Sequence, residues 1–192
     1  APMGLPIPSL RFDNRGGLRR LMNHLVTECG RTRIAFLRGP EGNEDSFWRE
    51  TAYRESLEVH GIPWRNELVA GGRFTEVGGE EAVRNLILAG VEFDAVFAGD
   101  DEAAAGALMA LRKHGLRVPQ DVALAGFDDS TMARHLNPPL TTIRAPIETA
   151  SYLSARYLVR MIRGEEVEIN TQLPVELIVR ESTAGSVSPV AS

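Results

Sequence analysis

A chain of 192 residues that is 43% hydrophobic can bury one good-sized core, or one core and part of a second, and is expected to be a soluble globular protein. Its 21 basic residues are outnumbered by 26 acidic ones, for a net charge of −5. With no Lys/Arg run, that excludes the electrostatic footprint of a nucleic-acid-binding surface.

The opening, Ala1 to Ser9, carries three prolines and reads as a linker or a cut inside a longer protein. After the extended piece Leu10-Arg11-Phe12, Asp13 or Asn14 caps a helix. Leu18, Leu21, Met22, Leu25, Val26 and Cys29 recur in it at helical spacing, and Gly30 closes it. A strand over Arg33 to Leu37 is broken by Gly39-Pro40-Glu41-Gly42-Asn43, and a helix follows from about Ser46 to His60.

The same unit then repeats. Leu68-Val69-Ala70 ends at Gly71-Gly72 before a helix carrying Ala82, Val83, Leu86 and Ile87. Ala95-Val96-Phe97-Ala98 ends at Gly99-Asp100-Asp101 before a helix carrying Ala107, Leu108 and Leu111. Val122-Ala123-Leu124-Ala125 ends at Gly126-Phe127-Asp128-Asp129, and a short helical turn leads to Asn137-Pro138-Pro139. Strands alternating with helices at this spacing predict right-handed crossovers and an α/β fold, a parallel sheet with helices on both faces.

Past Thr141-Thr142-Ile143, a long helix from about Ile147 to Arg163 carries Leu153, Tyr157, Leu158, Met161 and Ile162 on one side. Two extended pieces, Ile169 to Leu173 and Val175 to Val179, are expected to close the sheet edge. The small, polar residues 185–192 are expected to be disordered. A single cysteine, Cys29, permits no intrachain disulfide. No apolar run approaches the roughly 18 residues of a membrane span, and no signal-peptide pattern opens the chain, so a cytoplasmic location is expected.

In open parallel sheets, ligands bind beyond the C-terminal ends of the strands, where loop amides and helix N-termini converge. Four such ends carry Glu41 and Asn43, Arg73 and Phe74, Asp100 and Asp101, and Asp128 and Asp129. An aromatic ring among carboxylates and an amide suits a sugar or another polyol: the ring face covers C–H groups while the carboxylates accept hydroxyl hydrogen bonds. The same aspartates equally suit helix caps and turns.

Little points to catalysis. The four histidines, at positions 24, 60, 114 and 135, form no metal-ligand pair by spacing. The phosphate-cradling, dinucleotide-binding and nucleophile-elbow glycine motifs are all missing. A Mg²⁺ site among the four acids, as in a phosphatase or a receiver, stays open as a rival. A receiver would also want a lysine at a strand end, and the only lysine, Lys113, lies late in a helix.

Segment 93–143 resembles the C-terminal lobe of LacI/GalR-type regulators. The residues that carry the resemblance are Phe93 to Glu102, Gly106-Ala107-Leu108, Gly115 to Val122, Gly126-Phe127-Asp128-Asp129 and Pro138 to Ile143. It extends through Leu173-Pro174-Val175-Glu176-Leu177 to Arg180-Glu181-Ser182-Thr183, and back through Arg33–Pro40 to Asp13–Gly17, covering roughly residues 7–184.

The resemblance implies a two-lobed, periplasmic-binding-protein-like fold holding a sugar- or nucleoside-like effector between its lobes. It implies a non-catalytic sensor without cofactor or metal, and a homodimer that touches DNA only through a helix-turn-helix headpiece lacking here. On that basis residues 31–142 and 165–184 form the C-terminal ligand-binding lobe, and residues 10–30 and 145–163 are remnants of a truncated N-terminal lobe.

The ligand-binding residues it implies are Asp101, five before Gly106, for ligand hydroxyls; Arg49, on the first helix of the lobe; and Phe74, for stacking, with Asp100, Asp128 and Asn43 completing the set. Two departures from the family pattern stand out: Asp100 where Asn is common, which fits a cationic or strongly donating ligand, and Ala103-Ala104-Ala105 where bulkier residues are frequent. Arg38–Asn43 and Asp13–Gly17 also resemble versions of this lobe fused to histidine kinases or diguanylate cyclases. A transport-type sugar-binding protein would share the fold.

Overall fold

The computed structural model describes residues 7–184; the expected tail at 185–192 and most of the expected linker at 1–9 lie outside them. In chain order the strands are β1 (Ser9–Phe12), β2 (Ile34–Arg38), β3 (Val69–Gly71), β4 (Ala95–Ala98), β5 (Ala123–Asp128), β6 (Thr141–Arg144), β7 (Asn170–Leu173) and β8 (Glu176–Ile178). The helices are α1 (Asn14–Asn23, continued by a π-wound turn over His24–Glu28), α2 (Glu44–Val59), α3 (Glu76–Leu88), α4 (Asp101–Lys113), α5 (Thr131–His135) and α6 (Ile147–Ile162).

Six strands form the main sheet in the order β3-β2-β4-β5-β6-β8. All pairs are parallel except β6 with β8. β4 explains why the sheet is covered on both sides. Ala95, Val96, Phe97 and Ala98 are all 0% exposed, so apolar residues leave both faces of one strand, the signature of a parallel sheet sandwiched between helices. One face packs Leu37, Val96 and Leu124 against Val83 and Leu86 of α3 and Leu108 and Leu111 of α4. The other packs Phe36, Phe97, Phe127 and Ile143 against Leu18, Leu21, Met22 and Leu25 of α1 and its continuation and Tyr53 of α2. The β2–β4 register sets Phe36 beside Phe97, and their rings stack at 5.2 Å between centroids.

Two sequence expectations need correction. α1 was placed with the opposite lobe, yet its apolar stripe completes the core under the main sheet, where Leu18, Leu21 and Met22 pack with Phe36, Phe97 and Phe127 at 0% exposure. β7 was expected at the edge of the main sheet, yet it pairs in parallel with β1 as a separate two-stranded sheet, Ser9 opposite Asn170 and Phe12 opposite Leu173. Only β8 closes the main edge, antiparallel to β6.

α6 lies apart from both cores and has no buried residue. Leu153 and Tyr157 are half-buried, with the Tyr157 hydroxyl 2.8 Å from Thr171 Oγ1. Tyr152, Leu158, Met161 and Ile162 are exposed.

Beyond β8 the chain is stitched to the sheet through Ser182, whose carbonyl accepts from the Leu124 amide. Its hydroxyl donates to the Leu124 carbonyl at 2.6 Å and accepts from the Thr141 amide at 2.8 Å. Backbone groups at the start of β5 and β6 are thereby satisfied, as buried amides must be.

α3 and α4 approach so closely that two positions admit no side chain. A Cβ on Gly79 would lie 2.0 Å from the Ala103 carbonyl oxygen, and one on Gly106 would lie 1.8 Å from that of Glu76. Because the obstructing atoms are backbone, neither contact is relieved by a rotamer change. Gly106→Ala is therefore expected to destabilise the fold by about 1–3 kcal/mol or more in chemical denaturation. Gly71→Ala, whose Cβ meets nothing within 4 Å, should stay within about 0.5 kcal/mol of the parent.

Candidate functional site

Arg49, one turn into α2, is the centre around which the strand ends meet. It is 4% exposed, and a buried cation must find acceptors. Its Nε donates to Asn14 Oδ1 at 3.2 Å, its Nη1 donates to the Gly99 carbonyl, and its guanidinium lies 3.6 Å above the Phe127 ring centroid. Asn14 in turn donates to Asp45 Oδ1 at 3.0 Å. Loss of water around the guanidinium pulls its pKa below the usual arginine range, against the pull of Asp128, Asp45, Asp100 and Asp101.

The acids at the ends of β4 and β5 divide into spent and unspent groups. Asp100 is the N-cap of α4, accepting from the Ala103 amide at 2.9 Å through Oδ1. Asp101 is 1% exposed, and both its oxygens are engaged: Oδ1 by the Thr142 hydroxyl at 2.6 Å and Oδ2 by the Ser130 amide at 2.7 Å. Gly126 allows that approach, since a Cβ there would lie 2.5 Å from Asp101 Oδ1. Asp129 is ringed by three arginines. Arg144 and Arg134 donate to its Oδ2 at 2.7 and 3.1 Å, and Arg180 donates to its Oδ1. Burial alone would push its carboxyl up, but these hydrogen bonds leave it below the usual range.

Among the described residues Asp128 accepts no hydrogen bond. Its side chain is 40% exposed, and the nearest cation, Arg49 Nη2, is 3.9 Å away. Burial pushes its pKa up to about 7, with Asp101, Asp100 and Asp45 adding to the rise and Arg49 opposing it. Burial likewise raises Asp100 to about 6.

Phe74 closes a third side. It and Arg73 have φ of 56° and 55°, and the ring lies against the backbone of two strand ends: a Cβ on Gly39 would sit 2.2 Å from Phe74 Cζ, and one on Gly99 2.7 Å from Cε1. The Arg49 guanidinium carbon is 5.3 Å from its centroid. Asp128 and Asp129, at φ of 112° and 55°, are similarly strained, and residues held in this region cluster at ligand sites.

Of the six residues singled out from the sequence, Phe74, Asp100 and Asp128 are brought around Arg49. Asp101 is buried, and its oxygens tie α4 to the chain after β5 and to β6. Asn43 is the N-cap of α2, with Oδ1 accepting from the Ser46 amide at 2.9 Å.

Sequence reasoning missed Asn14, read only as a helix cap, and Asp45. Neither carries a local signal, since α1 and α2 meet only in the fold. Both also line a cleft of about 510 Å³, together with Phe12, Trp48, Thr171 and Gln172. Aromatics, the carboxylates of Glu44 and Asp45, amides and the guanidinium groups of Arg11 and Arg15 thus continue outward from the Arg49 network. Among the described residues, no three His, Cys, Asp or Glu side chains converge as a metal site, and no helix is long and apolar enough to cross a membrane.

Residues 22–183 match the family described as the periplasmic binding protein-like domain. The HTH-type transcriptional regulator CelR of Thermobifida fusca is 40% identical over 185 residues, covering 94% of this chain and 54% of that protein. GalR of Escherichia coli K12 is 32% identical over 183 residues, covering 95% and 53%. Among solved structures, the CelR–cellobiose complex superposes with a TM-score of 0.88 at 39% identity, over 94% of this chain and 56% of that one. The lac repressor dimer bound to operator and the anti-inducer ONPF superposes at 0.86 and 29%, over 93% and 61%.

The chain spans about half the length of the curated relatives it matches. Those relatives are transcriptional regulators rather than enzymes. The chain therefore belongs to the periplasmic binding protein-like domain family and corresponds to the effector-binding portion of LacI-type transcriptional regulators.

Proposed function

We propose that this chain senses a carbohydrate effector at the carboxyl edge of its main sheet and that the bound sugar biases the state of an attached output. The observation that carries the reading is the buried Arg49, whose Nη2 makes no hydrogen bond among the described residues and lies 3.9 Å from Asp128, with the Phe74 ring 5.3 Å from the guanidinium carbon and the cleft lined by Asn14 and Asp45 alongside. Carboxylates accept from sugar hydroxyls, a guanidinium donates to a ring or glycosidic oxygen, and an aromatic face covers C–H groups. The adjoining cleft with Trp48 and Asp45 gives room for more than one sugar ring. The resemblance to the CelR–cellobiose complex makes cellobiose the first ligand to try.

In this proposal the main sheet with α1 to α5 and the stretch through residue 184 is the ligand-binding lobe. β1, β7 and α6 belong to the partner lobe. DNA is reached through a headpiece elsewhere in the protein, and two copies pair, as in the lac repressor dimer. An effector shifts such a system only by its differential affinity for the two states.

Isothermal titration with cellobiose and a panel of neutral mono- and disaccharides tests the reading directly: saturable binding is expected, and a flat response across the panel would refute it. Phe74→Ala should weaken the sugar that binds about 10-fold, roughly 1.4 kcal/mol, through loss of the stacking face. Asp101→Ala is expected to act on the fold instead, leaving the Ser130 amide and Thr142 hydroxyl without a partner. The cost is about 2–4 kcal/mol in chemical denaturation, with affinity within about threefold of the parent where the variant is folded.

The raised Asp128 carboxyl has a signed consequence. Its folded pKa, about 7, lies above the ordinary value of 3.8, so between pH 4 and 7 the folded state holds the proton more tightly and stability falls as pH rises. Asp128→Asn removes this cost. Its melting temperature should match the parent near pH 4 and exceed it above pH 7 by about 2–4 °C, the shift for ~1 kcal/mol in a domain of this size, after allowing for solvent screening of a part-exposed side chain. Equal melting temperatures at pH 8 would contradict the assigned environment.

A further inference from the structure

The unspent groups around Arg49 are mostly carboxylate acceptors. Asp128 accepts no hydrogen bond among the described residues, Asp100 has one oxygen left after capping α4, and Asp45 has one left after accepting from Asn14. Arg49 spends Nε on Asn14 and one N–H of Nη1 on the Gly99 carbonyl, so its remaining N–H groups, those of Nη2 included, are the donors left to meet a neutral oxygen.

Nor is this a shortage of cations. The very next residue, Asp129, receives three arginines, while none donates to Asp128. Adjacent aspartates with opposite treatment point to two jobs: Asp129 holds the strained turn, and Asp128, held only by a 3.9 Å ion pair to Arg49, keeps its hydrogen-bonding capacity for something that arrives from outside.

We infer that Asp100 and Asp128 set the charge class of the ligand, so that the site takes an uncharged, hydroxyl-rich sugar and rejects the same sugar carrying a carboxylate or phosphate. The inference rests on the carbohydrate reading above. Each hydroxyl arriving at a carboxylate makes a charge-assisted hydrogen bond. An anionic group at the same place meets like charge in a partly desolvated setting with one guanidinium to offset it, and specificity of this kind comes from a built-in repulsion as much as from attraction. Around Arg49 its one positive charge faces Asp45, Asp100, Asp101 and Asp128. The two arginines of the adjoining cleft, Arg11 and Arg15, are each paired with a glutamate, Glu44 and Glu55, so acids outnumber unpaired cations beside Asp128.

The test compares matched pairs by calorimetric titration at pH 8, where Asp128, pushed up to about 7, is ionised. The probes are glucose and glucuronate, galactose and galacturonate, and cellobiose with cellobiouronate and cellobiose 6-phosphate. For whichever neutral sugar binds, its anionic counterpart should bind at least about 100-fold more weakly in the parent. In the Asp100→Asn/Asp128→Asn double variant, checked for an intact melting transition, that gap should shrink to below about 10-fold.

Anionic counterparts binding the parent within about 10-fold of the neutral sugar, or a gap unchanged in the double variant, would overturn the inference while leaving the carbohydrate reading standing. Silence from every probe, neutral and acidic, would overturn the carbohydrate reading and this inference with it.

Discussion

A guanidinium taken out of water is the constraint on which the site is built. Arg49 is almost fully covered, and a bare buried charge is not tolerated, so its neighbours have to supply acceptors and a polarisable face. They come from four places distant in sequence: Asn14 from α1, Gly99 from the end of β4, Phe127 from β5 and the outlying Asp128. Holding Arg49 in place therefore fixes how α1, α2 and the two central strands meet. It leaves Nη2 without a hydrogen-bonded partner among the described residues, and under the proposal above that is the side on which a ligand oxygen completes the set.

Strain and small residues surround this cation in a consistent way. Phe74 reaches it only because Gly39 and Gly99 have no Cβ to obstruct the ring, and because Arg73 and Phe74 adopt left-handed backbone angles. The paired left-handed angles at Asp128 and Asp129 turn two successive carboxylates in different directions. Such conformations persist only when their surroundings over-determine them. Here the three arginines on Asp129 and the two hydrogen bonds on Asp101 do so. Arg144 and Arg180 also belong to the segments that lead out of β6 and past β8, so the turn carrying Asp128 is tied to the paths by which the chain leaves the main sheet.

Much of the architecture was legible from the residues, because apolar runs such as Ala95–Ala98 and the glycines that end each helix are local signals. The parallel order and the convergence of strand ends follow from them through the handedness of crossovers. The assignment of α1 failed for a different reason. Its stripe of Leu18, Leu21, Met22 and Leu25 announces that the helix is buried but not what buries it, and only the sheet's open face decides. β7 misled likewise: its pairing with β1 joins positions more than 150 residues apart, and nothing in either segment names its partner.

Within the site, the resemblance to LacI/GalR-type regulators drew attention first to Asp101, whose acceptors turn out to be consumed inside the fold, and less to Asp128, whose neighbours lie on other elements. Whether a carboxylate is spent or free depends on the Ser130 amide, the Thr142 hydroxyl and three arginines brought in by tertiary structure. No local pattern encodes that. Asn14 and Asp45 were hidden for the same reason, since their contact exists only once α1 and α2 are side by side.

The exposed apolar face of α6 and the isolated β1–β7 pair contrast with the two well-filled cores, as expected of elements whose covering surface belongs to another lobe. The main sheet nevertheless carries Arg49 and the residues around it, so the central claim can be examined on this chain. The most direct measurement is an experimentally phased crystal structure of it soaked with cellobiose or with the best neutral sugar from titration. The account predicts a sugar ring beside Phe74 with hydroxyls within hydrogen-bond distance of Asp128 and an oxygen facing Arg49 Nη2. A sugar bound elsewhere, with the Arg49–Asp128 gap filled by protein side chains, would contradict it.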